Sequence, residues 1–225
     1  DYGMALKPPT PFEDESLLAL SRAGARGKWT LTELPGTKKE VEEIDRVLKT
    51  NSINTKLFLA DRSDEGTVKK LDNPYILHIA THGFFESNLP KNNNTREVPE
   101  ALKRAAENPL LRSGVMLAGA SNSYSASYSE VASWEGYEDG ILTAYEVMNL
   151  DLDSTELVVL SACQTGLGEV KNGEGVYGLQ RAFLVAGAKA VIMSLWSVSD
   201  DATRDLMITF YDAWLKTGDK QLAFK

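Results

Sequence analysis

Cys163 is the only cysteine in the 225-residue chain, and it closes the run Glu156-Leu-Val-Val-Leu-Ser-Ala-Cys163 just before Gln164-Thr-Gly166. Upstream, a second apolar run, Tyr75-Ile-Leu-His-Ile-Ala-Thr-His82, ends at His82-Gly83. A thiol and an imidazole, each placed where a buried strand gives way to a loop, are the two parts of a cysteine nucleophile and its base. A free thiol has a pKa of about 8.5, so a neighbouring imidazole must hold or take its proton at neutral pH. The competing reading of Cys163 is a buried structural thiol, which a position inside the strand would suit better than one at its exit.

The two histidines separate by position. His78 lies mid-strand between Leu77 and Ile79 and is expected to be a core histidine bonded to a neighbour. His82 lies four residues on, past the strand, and is followed by Gly83, which lets a backbone N–H approach a substrate carbonyl closely. No cysteine or carboxylate stands at zinc spacing beside either, so no metal is expected. Gly173-Glu-Gly175-Val-Tyr-Gly178 matches the dinucleotide fingerprint, but about a dozen residues separate it from the strand that should feed it. A nucleotide cofactor is therefore not expected, although a nucleotide-binding α/β domain remains an alternative that a ligand-induced thermal shift would reveal. Gly-x-Ser-x-Gly is absent, which removes the usual α/β-hydrolase reading.

The elements that must position these residues alternate strand and helix. Residues 2–6 suit a first strand. Thr37-Lys-Lys-Glu40 reads as a capping box ahead of a helix carrying Val41, Ile44, Val47 and Leu48. Residues 56–60 read as a short strand and 67–71 as a short helix. A second capping box is Thr143-Ala-Tyr-Glu146. A helix from about Gly175, with Val176, Leu179, Phe183 and Ala186 on one face, is closed by Gly187. A strand over 190–195 follows, then a helix from about Asp200 with Ala202, Leu206, Phe210 and Trp214 on one side. Continuous apolar strands separated by helices indicate an α/β fold whose mostly parallel sheet is covered on both faces. Ligands bind outside the carboxyl ends of such strands, so His82 and Cys163 should converge at one edge of the sheet.

Composition sets the outer bounds. With 43% hydrophobic and 25% charged residues the chain is an ordinary globular one, long enough for a real core. A net charge of −8 argues against nucleic acid as a partner. No run approaches the roughly 18 apolar residues of a membrane span, and Asp1 opens no secretory signal. One cysteine makes no internal disulfide, which suits a reducing, cytoplasmic setting. The chain starts without Met and stops at Gln221-Leu-Ala-Phe-Lys225, so it reads as a fragment of something longer.

Six motifs, in this order, carry a resemblance. They are Thr81-His-Gly83, Asp139-Gly-Ile-Leu-Thr-Ala-Tyr-Glu146, Leu160-Ser-Ala-Cys-Gln-Thr-Gly-Leu-Gly168, Gly173-Glu-Gly-Val-Tyr-Gly-Leu-Gln-Arg-Ala-Phe183, Ala186-Gly-Ala188 and Ser194-Leu-Trp-Ser-Val-Ser-Asp200. Together they resemble the CHAT domain, a caspase-like family often joined to tetratricopeptide repeats. The resemblance implies a single caspase-like domain over 1–225, a three-layer sandwich. It also implies a Cys–His dyad peptidase of the caspase, separase and gingipain clan, with Cys163 as nucleophile and His82 as base. The backbone N–H groups of Gly83 and Cys163 are then the expected oxyanion donors. The family is best known from bacteria, in regulated proteolysis and defence, so the implied partners are a protein or peptide substrate and a regulatory domain such as a repeat array.

For specificity, relatives that cut after basic or Asn residues often carry an acid two positions before the nucleophile. Here Ser161 and Ala162 precede Cys163, and neither supplies charge. Trp196 and Asp200 match the separase-like segment that walls the pocket, which makes Asp200 the candidate partner for a basic P1 side chain. The same carboxylate suits the first turn of the last helix. Asp139, just ahead of a helix, carries the same ambiguity. Residues 86–135 read as a polar insertion between the His82 and Cys163 strands. The rival class is a catalytically silent caspase-like module used for signalling or assembly.

Overall fold

Two uninterrupted apolar segments, the ones that carry the histidine and the cysteine, make the centre of the sheet. The computed structural model describes residues 34–85, 108–121, 138–164, 174–194 and 200–224. Along the chain these form α1 (Pro35–Thr50), α2 (Glu65–Lys69), β1 (Ile76–Phe85), β2 (Ser113–Met116), β3 (Ile141–Thr143) and α3 (Ala144–Val147). They continue through β4 (Leu157–Gln164), α4 (Glu174–Val185), β5 (Val191–Met193), α5 (Asp200–Thr217) and α6 (Lys220–Ala223). Among the described residues the sheet order is β3-β2-β1-β4-β5. β1 pairs in parallel with β4, and β4 with β5, whereas β2 runs antiparallel to both β1 and β3. Four of the five strands therefore point the same way, and helices pack on both faces, as an α/β caspase-like architecture requires.

Side chains alternate between the two faces with period two. Leu77, Ile79, Val158 and Leu160 join Leu179 and Phe183 of α4 and Val147 of α3 in one core. Leu157 and Val159 turn the other way, onto Ile44 and Leu48 of α1 and Met207, Phe210 and Tyr211 of α5. The second core is aromatic-rich: Phe210 meets Tyr211 edge-on at 5.3 Å between ring centroids, and Phe224 at 5.7 Å. Such pairs add about 0.5–1.5 kcal/mol beyond the area they bury.

Local chemistry explains where the elements stop and start. At α3, Thr143 and Glu146 form the expected reciprocal capping box. α4 ends before Gly187, whose φ of +109° is a left-handed conformation that a side chain resists. Asp64 caps α2 by accepting from the Thr67 amide at 2.6 Å.

Several expectations need correcting. β1 does not end before His82; it runs on to Phe85 because β2 pairs with its last four residues, from His82↔Met116 to Phe85↔Ser113. Thr37 and Glu40 make no capping box. α1 begins at Pro35, Thr37 Oγ1 donates to the Leu34 carbonyl, and Glu40 turns into the core. Residues 56–59 belong to no strand, and Ala60–Arg62 form a 3-10 turn. The short helix lies two residues earlier than expected, at Glu65–Lys69. α5 turns Phe210 and Trp214 to the core as expected, but Ala202 and Leu206 face out and Thr203, Met207 and Tyr211 are buried instead. The strand proposed at 2–6 lies outside the described residues. Among those described, no helix is long and apolar enough to cross a membrane.

Candidate active site

β1 and β4 run side by side in register from Ile76↔Leu157 to Gly83↔Gln164. In that ladder His82 is the Cα partner of Cys163, and Ala80 that of Ser161 one row below. The row extends across the sheet, because His82 also pairs with Met116 of β2, and Met116 with Ile141 of β3. Adjacent strands lie about 4.8 Å apart, so two residues separated by 81 positions in sequence are immediate neighbours. Partners in a parallel ladder occupy the same face, here the one covered by α1 and α5. The Cys163 side chain lies outside the described set; the pairing is a backbone fact.

His82 is half-buried, with Nδ1 shielded from solvent. On the opposite face the neighbouring Thr81 hydroxyl donates to the Met116 carbonyl, which ties β1 to β2 at this row. Gly83 has ladder partners on both sides, Val115 and Gln164.

Below the row lies a buried polar group. Glu40 is only 1% exposed, and its Oε1 lies 2.9 Å from His78 Nε2 while Oε2 accepts from Ser161 Oγ at 2.9 Å. His78 Nδ1 is 3.1 Å from the hydroxyl of Tyr211. The bonds are complete with the proton on His78 Nε2, donated to Glu40, and the Tyr211 O–H donated to Nδ1. Burial, reinforced by the Glu40 charge, holds the Tyr211 phenol above its usual range, so it stays a donor. His78 is thus a core histidine with two partners, as expected. Ser161, a pocket candidate from sequence, is 5% exposed and turns its hydroxyl inward to Glu40.

Asp139 accepts from the Ile141 amide at 2.9 Å, a local turn bond just ahead of β3. Asp200 is the first residue of α5, and the carboxylate described in that first turn, Asp201, is engaged by Arg204 at 2.7 Å. Trp196 lies outside the described residues, and Ala162 enters only as the backbone partner of Thr81.

Two features went unread in the sequence. Glu40 occupies the buried stripe Gly36, Glu40, Ile44, Leu48 of α1, and a charged residue at such an i, i+4, i+8 position was the available signal. The second is an acidic cluster at α2. Ligand atoms of Glu65, Glu138 and Glu146 lie within 4.8 Å of one another. Lys69 Nζ contacts all three, at 2.8, 2.6 and 3.2 Å, so an ammonium stands where a metal would. Burial works against the Lys69 charge, yet Glu146, Glu138 and Glu65 outweigh it and hold it above the usual lysine range. Burial first, and the Glu146 charge second, push the Glu65 carboxyl up to about 8.

Comparison with known proteins agrees with the fold. Tetratricopeptide repeat protein 28 of mouse is 27% identical over 189 residues, 84% of this chain but 7% of that protein. The human tetratricopeptide repeat protein 28 is 41% identical over 75 residues, 33% of this chain and 3% of its own length. The chain thus spans less than a tenth of these curated relatives. No solved structure gives a significant match. The CHAT domain family matches residues 7–225, nearly the whole sequence, and with the sheet order and the paired His82 and Cys163 positions this makes the chain a member of the CHAT domain family.

Proposed function

We propose that this domain is a cysteine endopeptidase that cleaves a protein substrate through a Cys163–His82 dyad. The observation that carries the reading is the register pairing of the two positions in adjacent parallel strands. Cys163 Sγ attacks the scissile carbonyl carbon while its proton passes to His82. The C–N bond then breaks as His82 returns that proton to the leaving amine. Water attacks the thioester, losing a proton to His82, and the thiol is regenerated as the acid product leaves. The N–H groups of Gly83 and Cys163 serve the oxyanion, and each such donor contributes about 3–4 kcal/mol in comparable sites. Trp196 and Asp200 contribute to the P1 pocket.

The setting we infer is regulated proteolysis in cytoplasmic signalling or defence. Both relatives are mammalian, so the bacterial setting rests on the family resemblance alone. Their names supply the natural regulator, a tetratricopeptide repeat array, outside this segment. A second reading, a catalytically silent signalling or assembly module, draws on one observation. Gly83 is flanked by ladder partners on both sides, so its amide must be released from the sheet before it can serve an oxyanion.

A peptidyl acyloxymethyl ketone separates the two. Covalent labelling of the wild type, lost in Cys163→Ala and His82→Ala, supports the peptidase. A folded wild type that neither reacts with a peptide library of such probes nor cleaves protein leaves the silent module standing.

A further inference from the structure

The buried carboxylate of Glu40 has no role in the dyad chemistry, yet it sits one row beneath it. We propose that Glu40 is a positioning residue that pins the β1–β4 register, so that position 82 lands beside position 163. The inference relies on the peptidase reading only for its effect on turnover; the register itself is measurable without catalysis.

The apolar pattern alone leaves the register underdetermined. On the face toward α1 and α5, β1 offers Ile76, His78, Ala80 and His82, and β4 offers Leu157, Val159, Ser161 and Cys163. A slip of one residue would turn every side chain to the wrong face and is forbidden by burial. A slip of two keeps each residue on its own face and still sets aliphatic side chains against α1. It would, however, place Cys163 beside Ala80 or Phe84 instead of His82. Hydrophobicity distinguishes these arrangements weakly.

Glu40 opposes the slip that sets Cys163 beside Phe84. Its two oxygens bond residues on different strands, His78 in β1 and Ser161 in β4, each at 2.9 Å. These positions are offset by one side-chain row, since His78 pairs with Val159 and Ser161 with Ala80. The slip of two that sets Cys163 beside Phe84 carries Ser161 to the His82 row, roughly 6.6 Å further from His78 along the strand. The carboxylate would then keep one partner and lose the other inside the core, where an unsatisfied charge is costly. Tyr211 holds the far nitrogen of His78, so α5 fixes the ring that α1 reads.

Stability alone does not call for such a group. Buried ionic networks replaced by apolar residues of similar volume are often neutral or stabilising. A carboxylate retained in an otherwise aliphatic stripe of α1 therefore points to conformational specificity.

The test introduces a second thiol at the partner position, His82→Cys, and follows cross-linking to Cys163 by dibromobimane. The reagent fluoresces once both of its bromides have been displaced by neighbouring thiolates. In the Glu40→Met background we expect a thermal midpoint close to that of the parent but cross-linking slowed about tenfold or more. Glu40→Gln, whose amide can accept from His78 and donate to Ser161 Oγ, should restore most of the rate. In the native dyad, Glu40→Met should lower kcat about a hundredfold, with KM little changed, because misplacement by about 1 Å costs on that order. Unaltered cross-linking in a folded Glu40→Met variant would overturn the proposal. Should that variant not fold, Ser161→Ala severs the β4 arm alone: slowed cross-linking supports register control, and an unchanged rate refutes it. A wild type without peptidase activity removes only the kcat arm, and the cross-linking still decides.

Discussion

His82 and Cys163 are partners in the parallel ladder of β1 and β4, neighbours across one strand spacing although 81 positions separate them in sequence. Their row continues through Met116 to Ile141, so four strands hold one line of residues. On the proposed peptidase reading, a dyad mounted this way depends on sheet geometry more than on loop conformation, and substitutions at the row should affect chemistry before they affect folding.

Cys163→Ala is the direct case. Removing one sulfur near the strand end leaves a small void, and the expected cost is at most about 1–2 kcal/mol, below the range for large core truncations. Peptide-probe labelling and cleavage should vanish while calorimetry finds the midpoint shifted by only a few degrees. Retained cleavage would remove the nucleophile assignment, and global unfolding would mark the thiol as a core group.

Much of this arrangement was legible in the sequence, because uninterrupted apolar runs and capping signals report burial and helix starts directly. The runs ending at His82 and Cys163 gave the two central strands, and Thr143 with Glu146 gave α3. What sequence could not supply was pairing across distance. The end of β1 is not marked in its own residues, because Phe84 and Phe85 are strand only through β2, a partner some thirty residues away. Thr37-Lys-Lys-Glu40 satisfies the local cap pattern, which assigns Glu40 to a helix start. Its actual partners, His78 and Ser161, lie 38 and 121 residues along the chain. Lys69 and Glu65 are an i, i+4 pair within α2, but Glu138 and Glu146 reach them only in the fold.

Glu65 makes stability depend on pH with a definite sign. Its carboxyl is raised to about 8 in the folded protein against a usual 4.5. Between those values the native state binds a proton that the unfolded chain has released, so stability falls as pH rises and levels off above about 8. The expected loss is on the order of a few kcal/mol. Glu65→Gln keeps an acceptor for the Gly140 amide, which bonds Glu65 Oε2 at 3.0 Å. The variant should match wild type at about pH 5 and melt higher at about pH 8, with the slope between largely abolished. An unchanged slope in the variant would show that another group carries the dependence.

Gly187→Ala tests the stop of α4. The residue has φ of +109°, and an added Cβ would meet the Asp153 backbone nitrogen and Cα, both at 2.7 Å. Neither can retreat as a flexible side chain would. Strain and contact together should cost about 2–4 kcal/mol, a drop in Tm of roughly 5–10 °C. A melting curve superimposable on wild type would mean that the turn relaxes freely.

Asp200→Asn tests substrate recognition. Ser161 brings no charge and is committed to Glu40, so the acidic candidates are Asp139 and Asp200, and Asp200 is the one proposed for the pocket. If the pocket accepts a basic P1 residue, the carboxylate of Asp200 is its partner through a charge-assisted bond, far more discriminating when desolvated than on the surface. Loss of the charge should then lower kcat/KM for Arg substrates by about a hundredfold or more, equivalent to about 3 kcal/mol, with little effect on apolar ones. A carboxylate that only favours the start of α5 would behave differently. Replacing it would cost up to about 1 kcal/mol of stability and leave the preference among substrates unchanged. Profiling wild type and variant against one P1 library, with melting curves alongside, separates the outcomes. An apolar P1 preference in the wild type would exclude Asp200 from recognition altogether.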